Sequence, residues 1–176
     1  DKEVYISVDE WGLNSSTDVT PGKDLNWTER VYPVNQENVY PFGNLIDALI
    51  YGMFLISFMN HSSRVKHACR SLLRYTTMTA DPNGIALRHT PYYVMQEMAE
   101  FGRGVALKNA LQSPLTETEH HGKVPAVFSS ASYDEAAGTV TIFAVNLSLR
   151  EDIAFEPEFR GFGELKLEEH LRLFDE

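Results

Sequence analysis

Hydrophobic and polar positions follow two different patterns along this chain of 176 residues. Up to about residue 104, short strand-like runs alternate with apolar helical stretches, which is typical of a β/α architecture. Only strand-like runs and turns follow. Gly102 and Gly104 are suited to end a helix and turn the backbone, so they mark the predicted boundary. The pattern therefore predicts an α/β domain over residues 1–104 and an all-β domain over 105–176.

Two helices are predicted in the α/β domain. The run Leu45–Met59 is apolar on nearly every side, which predicts a helix buried on more than one face, with Asn44 as its N-cap. A second helix is predicted over Pro91–Phe101 with Thr90 as its N-cap, because proline at the first helical position loses no hydrogen bond.

The same domain contains two predicted strands, Val4–Val8 and Arg64–Cys69. Cys69 is the single cysteine of the chain, so it has no partner for an internal disulfide. Its apolar surroundings in the sequence predict a buried thiol.

The all-β domain is predicted to begin with a hairpin. The runs Val124–Tyr133 and Thr139–Leu149 flank residues 134–138, where Gly138 suits a positive φ. Both faces of these runs are fairly apolar, which favours a sandwich core over a sheet with one face in water. Further strands are predicted over Ile153–Phe159 and Glu164–Phe174.

Charge narrows the range of partners. The net charge of -10 and the isoelectric point near 5.0 disfavour nucleic acid and anionic membranes, because both would be repelled. The longest apolar run is shorter than the roughly 20 residues that cross a bilayer. No basic segment followed by an apolar core opens the sequence, so a cytoplasmic location is expected.

Two adjacent carboxylates, Asp9 and Glu10, follow the first strand. In parallel sheets and barrels, catalytic groups lie where strands end, because the loops there hold the substrate. Side chains alternate along a strand, so Glu10 shares a face with Ile6 and Val8, whereas Asp9 shares the other face with Ser7. The alternative is that both are ordinary carboxylates of a solvent-facing loop.

A histidine pair is the other candidate for chemistry. His120 and His121 lie in a loop with Glu117 and Glu119, but adjacent histidines do not converge on one ion without further ligands. A solvated loop is favoured, and neither a metal nor a cofactor is predicted.

Four segments of the chain form an ordered set of motifs: VYISVDEW, NLIDALIYGMFLISFMNHSSRVKHAC, LRHTPYYVMQEMAEFGRGVAL and TVTIFAVNLS. Together they resemble the C-terminal part of the α-L-arabinofuranosidases of glycoside hydrolase family 51. In that family a strand ends in Asp-Glu-Trp-Asn, and helix, strand and glycine-corner motifs follow in the same order as here. Four motifs in order are far more specific than any one of them.

The resemblance implies a retaining glycosidase that releases terminal α-L-arabinofuranosyl groups from arabinose-containing oligo- and polysaccharides. It implies that the first domain is an α/β remnant of a (β/α)8 barrel, its last two β/α units, and that the second is a jelly-roll-like β-sandwich. Glu10, at the end of the seventh barrel strand, matches the nucleophile. The family's acid/base lies on the fourth strand, for which this chain has no counterpart, so we expect the isolated chain to be inactive.

Other matched positions carry weaker implications. Trp11 matches a family tryptophan that either lines the sugar pocket or packs beneath it. His89 stands where the family has a glutamine that hydrogen-bonds arabinose, so it is a candidate substrate-binding residue. Gly12 replaces the usual asparagine, Asn14 falls near a usual aromatic position, and residues 70–81 depart from an apolar family segment.

A second hypothesis needs no catalysis. The chain would then be a β-sandwich module that supports a larger protein, binds carbohydrate or joins copies into a homo-oligomer. An exposed apolar helix needs a surface to cover it, which is why self-association remains an alternative.

Overall fold

The structure is a computed structural model that describes residues 2–12, 45–70, 77–80, 83–118, 120–148 and 150–173. Within these residues the chain forms helices and short strands. The helices are α1 (Leu45–Asn60) and α2 (Thr90–Phe101). The strands are β1 (Ile6–Val8), β2 (Val65–Ala68), β3 (Met78–Ala80), β4 (Ala86–Arg88), β5 (Val105–Ala106), β6 (Leu115–Thr118), β7 (Gly122–Pro125), β8 (Val127–Asp134) and β9 (Thr139–Asn146).

The first strand and helix form a β-α-β unit. Strands β1 and β2 are parallel, with Val8 opposite Ala68, and the Cys69 N–H donates to the Val8 carbonyl at 2.8 Å. Both predicted strands therefore exist, although each is shorter than predicted. Cys69 is exposed, so the prediction of a buried thiol is wrong: the residue follows the end of β2, past the paired part of the strand. The predicted N-cap Asn44 lies outside the described residues.

Helix α2 begins one residue earlier than predicted. His89, not Thr90, is the N-cap; its backbone is extended and its carbonyl accepts from the Tyr92 N–H at 2.9 Å. Pro91 accordingly occupies the second helical position instead of the first, where its missing N–H still costs no helical bond. An antiparallel pair, β3 and β4, precedes the helix and was not predicted.

The predicted hairpin is present as β8 and β9, which are antiparallel with Ser130 opposite Phe143. Asp134 Oδ1 accepts from the Ala136 and Ala137 amides at 3.0 and 3.2 Å, and Gly138 takes a φ of 68°. These bonds fix the turn. The run predicted as one strand from Val124 is divided, because β7 ends at Pro125, which has no N–H to donate.

Two more strands complete the sheets of the second part. Strand β5 lies along β8, so the largest sheet has the order β5-β8-β9, and β6 pairs with β7 as a separate hairpin. Gly104 precedes β5 with a φ of 84°. A β-carbon there would lie 2.0 Å from the Tyr133 carbonyl oxygen, so this close approach requires glycine.

The prediction of strands over Ile153–Phe159 and Glu164–Phe174 is wrong. Residues 150–173 contain no strand, and Leu167, for example, is 78% exposed. Alternating apolar and polar residues favour a strand, but a strand forms only where a neighbouring strand supplies its hydrogen bonds. Phe174, the predicted end, lies outside the described residues.

Helix α1 joins the two parts of the chain. It packs against α2 and against both β8 and β9, and Tyr51 and Ile56 on it are nearly inaccessible to solvent. A β-carbon on Gly52 would lie 2.9 Å from Val145 Cγ2, so the glycine allows helix and sheet to approach closely. The fold is therefore mixed helix and strand with small sheets, built around α1.

Candidate active site

Glu10 lies just beyond the carboxyl end of β1. Because β1 and β2 are parallel, the segments after Val8 and Ala68 leave the sheet at the same edge. Glu10 is exposed there. Ser7 Oγ donates to Asp9 Oδ1 at 2.6 Å, which holds the Asp9 carboxylate beside Ser7. That Glu10 faces the other side of the strand stays a prediction.

Trp11 anchors the segment that carries Glu10. The indole is 7% exposed and packs against three rings of α1, with centroid distances of 5.3 Å to Tyr51, 5.7 Å to Phe54 and 5.4 Å to Phe58. Tilted and edge-on contacts of this kind stabilise aromatic clusters beyond the area they bury. Its buried Nε1 has no hydrogen-bond partner among the described residues. In this structure the ring packs beneath the strand end.

A cation lies beside the same segment. Arg70 Nε donates to the Tyr51 hydroxyl at 2.5 Å, and the guanidinium carbon lies 5.3 Å from the centre of the Tyr51 ring. Gly12 has a φ of 119°, and a β-carbon on it would lie 2.6 Å from Arg70 Nε. The guanidinium thus stands where a side chain at position 12 would be.

His89 belongs to a different part of the fold, between β4 and α2. Its N–H donates to the Thr77 carbonyl at 2.8 Å, which fixes the backbone, while its buried Nε2 has no hydrogen-bond partner among the described residues. Within the same residues, no hydrogen bond or ring contact joins His89 to Glu10 or Trp11. The described contacts therefore do not link His89 to the segment that carries Glu10 and Trp11.

Charged residues of both signs lie around β1. Lys66 Nζ lies 5.1 Å from the centre of the Tyr5 ring, and a hydrogen bond with Glu3 raises the pKa of the Tyr5 hydroxyl. Across the part of the chain that is described, no group of three His, Cys, Asp or Glu side chains has the arrangement of a metal site. No described helix is both long and apolar enough to cross a membrane.

A cavity of about 500 Å³ lies elsewhere, against α2 and β3. Its lining includes Thr77, Tyr92, Met95 and Arg103, and it contains none of the predicted site residues. Among the described lining residues Glu100 is the one carboxylate, so the cavity has no carboxylate pair suited to glycoside chemistry.

Sequence reasoning did not identify Tyr51 and Arg70 as parts of this site. Tyr51 reads as an ordinary core residue of an apolar helix. Arg70 had a signal, since it opens the segment that departs from the family pattern, and Gly12 is another departure. The contact between Gly12 and Arg70 depends on the tertiary structure and cannot be inferred from their positions in the sequence.

Comparison with known proteins identifies relatives of the chain. A family model described as "Alpha-L-arabinofuranosidase C-terminal domain" matches residues 9–176. The chain is 35% identical to a protein of Acetivibrio thermocellus named intracellular exo-α-(1→5)-L-arabinofuranosidase, over 98% of this chain and 34% of that protein. It is 32% identical to intracellular exo-α-(1→5)-L-arabinofuranosidase 1 of Bacillus subtilis, again over 98% of this chain and 34% of that protein.

A solved structure gives the same relationship. The chain resembles a family 51 α-L-arabinofuranosidase from Bifidobacterium longum with a TM-score of 0.65 and 30% identity, over 84% of this chain and 30% of that one. The chain spans about a third of the length of the curated relatives it matches. These matches confirm the resemblance that the four motifs predicted.

Proposed function

The chain belongs to the family of α-L-arabinofuranosidase C-terminal domains, and from this premise we propose that it is the nucleophile-bearing C-terminal part of a retaining α-L-arabinofuranosidase. The observation that carries the proposal is the position of Glu10, an exposed carboxylate at the carboxyl end of a parallel strand. Its substrates would be oligo- and polysaccharides with terminal α-L-arabinofuranosyl groups. The relatives are named intracellular, and we extend that location to this protein.

The proposed reaction has two steps. A Glu10 carboxylate oxygen attacks the anomeric carbon and forms a glycosyl ester, while a second carboxyl group about 5 Å away protonates the departing oxygen. That second group then takes a proton from water, and the water oxygen attacks the same carbon, which releases arabinose and frees Glu10. Both steps need the second carboxyl group, which we assign to a part of the enzyme outside this chain.

The exposure of β1 supports an incomplete barrel. Val4, Tyr5 and Ile6 are each about half exposed, and among the described residues β1 pairs with β2 alone. Apolar strands with open edges normally pair with further strands. The finer fold that we propose is therefore a barrel remnant up to residue 104, followed by a β-sandwich. We expect the 176-residue chain by itself to hydrolyse no aryl α-L-arabinofuranoside.

Two further roles belong to the proposal. Trp11 supports Glu10 from beneath, since its ring is covered by α1. His89 binds a sugar hydroxyl, because an imidazole can donate or accept a hydrogen bond and its Nε2 has no partner among the described residues; the buried Nε2 must become accessible when the sugar binds. His89→Gln restores the family residue, so we expect it to retain turnover, whereas His89→Ala is expected to raise KM.

The test is Glu10→Ala in the full-length enzyme. We expect turnover of an aryl α-L-arabinofuranoside to fall by about 10⁴-fold or more, because loss of a nucleophile removes the covalent route. Glu135→Ala is the matched control, since Glu135 is an exposed carboxylate in the β8–β9 turn. Retained turnover in Glu10→Ala would remove Glu10 as nucleophile.

A noncatalytic role is favoured by one observation. Four leucines of the extended C-terminal segment are each at least 43% exposed, which suits a contact surface: Leu165, Leu167, Leu171 and Leu173. If full-length protein with Glu10→Ala keeps its turnover, the chain is better described as a module for support, oligomerisation or carbohydrate binding. Light scattering on the purified chain would then separate a monomer from an oligomer.

A further inference from the structure

Gly12 and Arg70 are 58 positions apart in sequence and touch in the structure. Gly12 lacks a side chain, and the charged end of Arg70 fills the space where one would lie. A β-carbon on Gly12 would be 2.6 to 2.7 Å from Arg70 Nε and Cζ. The glycine and the arginine are therefore complementary in shape.

Arg70 is held in that space by Tyr51. The guanidinium donates through Nε to the tyrosine hydroxyl and faces the same ring, and the tyrosine itself is 1% exposed. A charge-assisted hydrogen bond to a buried, fixed acceptor restrains a long side chain far more than an exposed one would. A side chain at position 12 would require the guanidinium to shift, and the φ of 119° would strain that residue as well.

Tyr51 and Arg70 contact the two residues that follow Glu10 in the chain. Tyr51 also packs against Trp11, so the two residues that follow Glu10 in the chain, Trp11 and Gly12, are both restrained by the Tyr51–Arg70 pair. On the other side of Glu10, Val8 is fixed by the Cys69 amide. The backbone is therefore restrained on both sides of Glu10, the proposed nucleophile.

We propose that Arg70, acting through Tyr51 and Gly12, is a positioning residue that fixes the Asp9–Gly12 segment and so the approach of Glu10 to the anomeric carbon. This inference rests on the proposed function of Glu10. A misplacement of about 1 Å at a reacting atom can cost about 100-fold in rate. A residue that acts through geometry should therefore change kcat, with little change in the binding of the rest of the substrate.

The test uses steady-state kinetics of the full-length enzyme on an aryl α-L-arabinofuranoside. Tyr51→Phe removes only the hydroxyl that holds Arg70, so it should fold and lower kcat about tenfold, with KM within about twofold. Arg70→Leu should lower kcat at least as much. Arg64→Leu, at the opposite end of β2, is the matched control and should leave kcat unchanged.

A double-mutant cycle tests this complementarity. Gly12→Asn restores the family residue and should lower kcat strongly when Arg70 is present, but at least about fivefold less when Arg70→Leu has cleared the space. A double variant whose loss equals the product of the single losses would overturn the inference, as would wild-type kcat in Tyr51→Phe. If Glu10→Ala abolishes turnover while these variants do not change it, only the positioning role fails. Retained turnover in Glu10→Ala would instead refute the proposed function.

Discussion

Strands β8 and β1 bury their side chains to very different extents. Strand β8 is central in its sheet and packs against α1, so that Ser130 is 1% exposed. Within the described part of the chain, β1 has a partner strand on one edge only, and Ile6 is 47% exposed. The all-β part therefore closes much of its core within this chain, whereas the part that carries Glu10 leaves an apolar strand uncovered.

This difference in burial shows that contacts within the chain can fix the backbone at Glu10 even though β1 is largely uncovered. The strand end at Glu10 is fixed from one side by the Trp11 cluster and by Arg70, both of which depend on α1. Helix α1 is in turn buried against β8 and β9. The well-packed part thus supports the backbone at Glu10, while the substrate pocket and second carboxyl group are proposed to come from elsewhere.

Trp11→Ala should have the largest effect on the stability of the chain. Deleting a buried indole costs about 3–5 kcal/mol in free energy of unfolding, because the cavity that remains is only partly filled. Chemical denaturation of the 176-residue chain measures this value. Trp11→Phe keeps a ring against α1 and should lose less than half as much. Equal losses for both variants would argue that the three ring contacts contribute nothing specific.

Gly104→Ala should have the next largest effect, in the all-β part. The new methyl group would overlap the Tyr133 carbonyl oxygen, and the positive φ adds strain, so we expect a loss of about 3 kcal/mol in unfolding free energy. Gly138→Ala is the matched control. Gly138 has a similar φ but open space around it, and should lose only about 1 kcal/mol. Similar losses at both positions would contradict the predicted clash.

A moderate loss is expected for Asn109→Ala. Asn109 Nδ2 donates to the Ser129 carbonyl at 2.8 Å and to its hydroxyl at 2.6 Å, which ties the loop after β5 to β8. Removal should cost about 1 kcal/mol, because the Ser129 hydroxyl loses this donor while the Ser129 carbonyl keeps the Asn60 amide at 3.0 Å. The exposed neighbour Lys108 offers a control, and Lys108→Ala should be within about 0.5 kcal/mol of the original chain.

The smallest effect in the isolated chain is expected for Ile6→Thr. Because the side chain is about half exposed, the substitution should change unfolding free energy by less than about 0.5 kcal/mol. In a full-length enzyme whose further strands cover β1, the same substitution should cost about 1–2 kcal/mol. Equal effects in both proteins would mean that β1 stays uncovered, against the proposed barrel.

Local features of this fold were predictable from the sequence. The β8–β9 turn follows from Asp134 and Gly138, whose side-chain oxygen and conformational freedom act within five residues. Helix α1 was predicted to within one residue because its apolar run is long.

Features that depend on partners were not predictable. Residues 153–173 alternate like a strand yet find no hydrogen-bonded neighbour in the described structure, and Cys69 is exposed because it lies past the end of β2. The Arg70–Tyr51 contact joins two elements whose meeting no local pattern encodes. The family resemblance thus suggested Glu10 as a candidate, whereas the contacts of Tyr51 and Arg70 beside it are visible only in the structure.

Covalent trapping tests the central claim most directly. A 2-fluoro-substituted α-L-arabinofuranoside with a good leaving group slows the second step more than the first, so that the glycosyl ester accumulates on the nucleophile. Tandem mass spectrometry of the full-length enzyme should place the added sugar on Glu10, in the peptide that also contains Asp9. A sugar attached to Asp9 or to a carboxylate outside this segment would contradict the account.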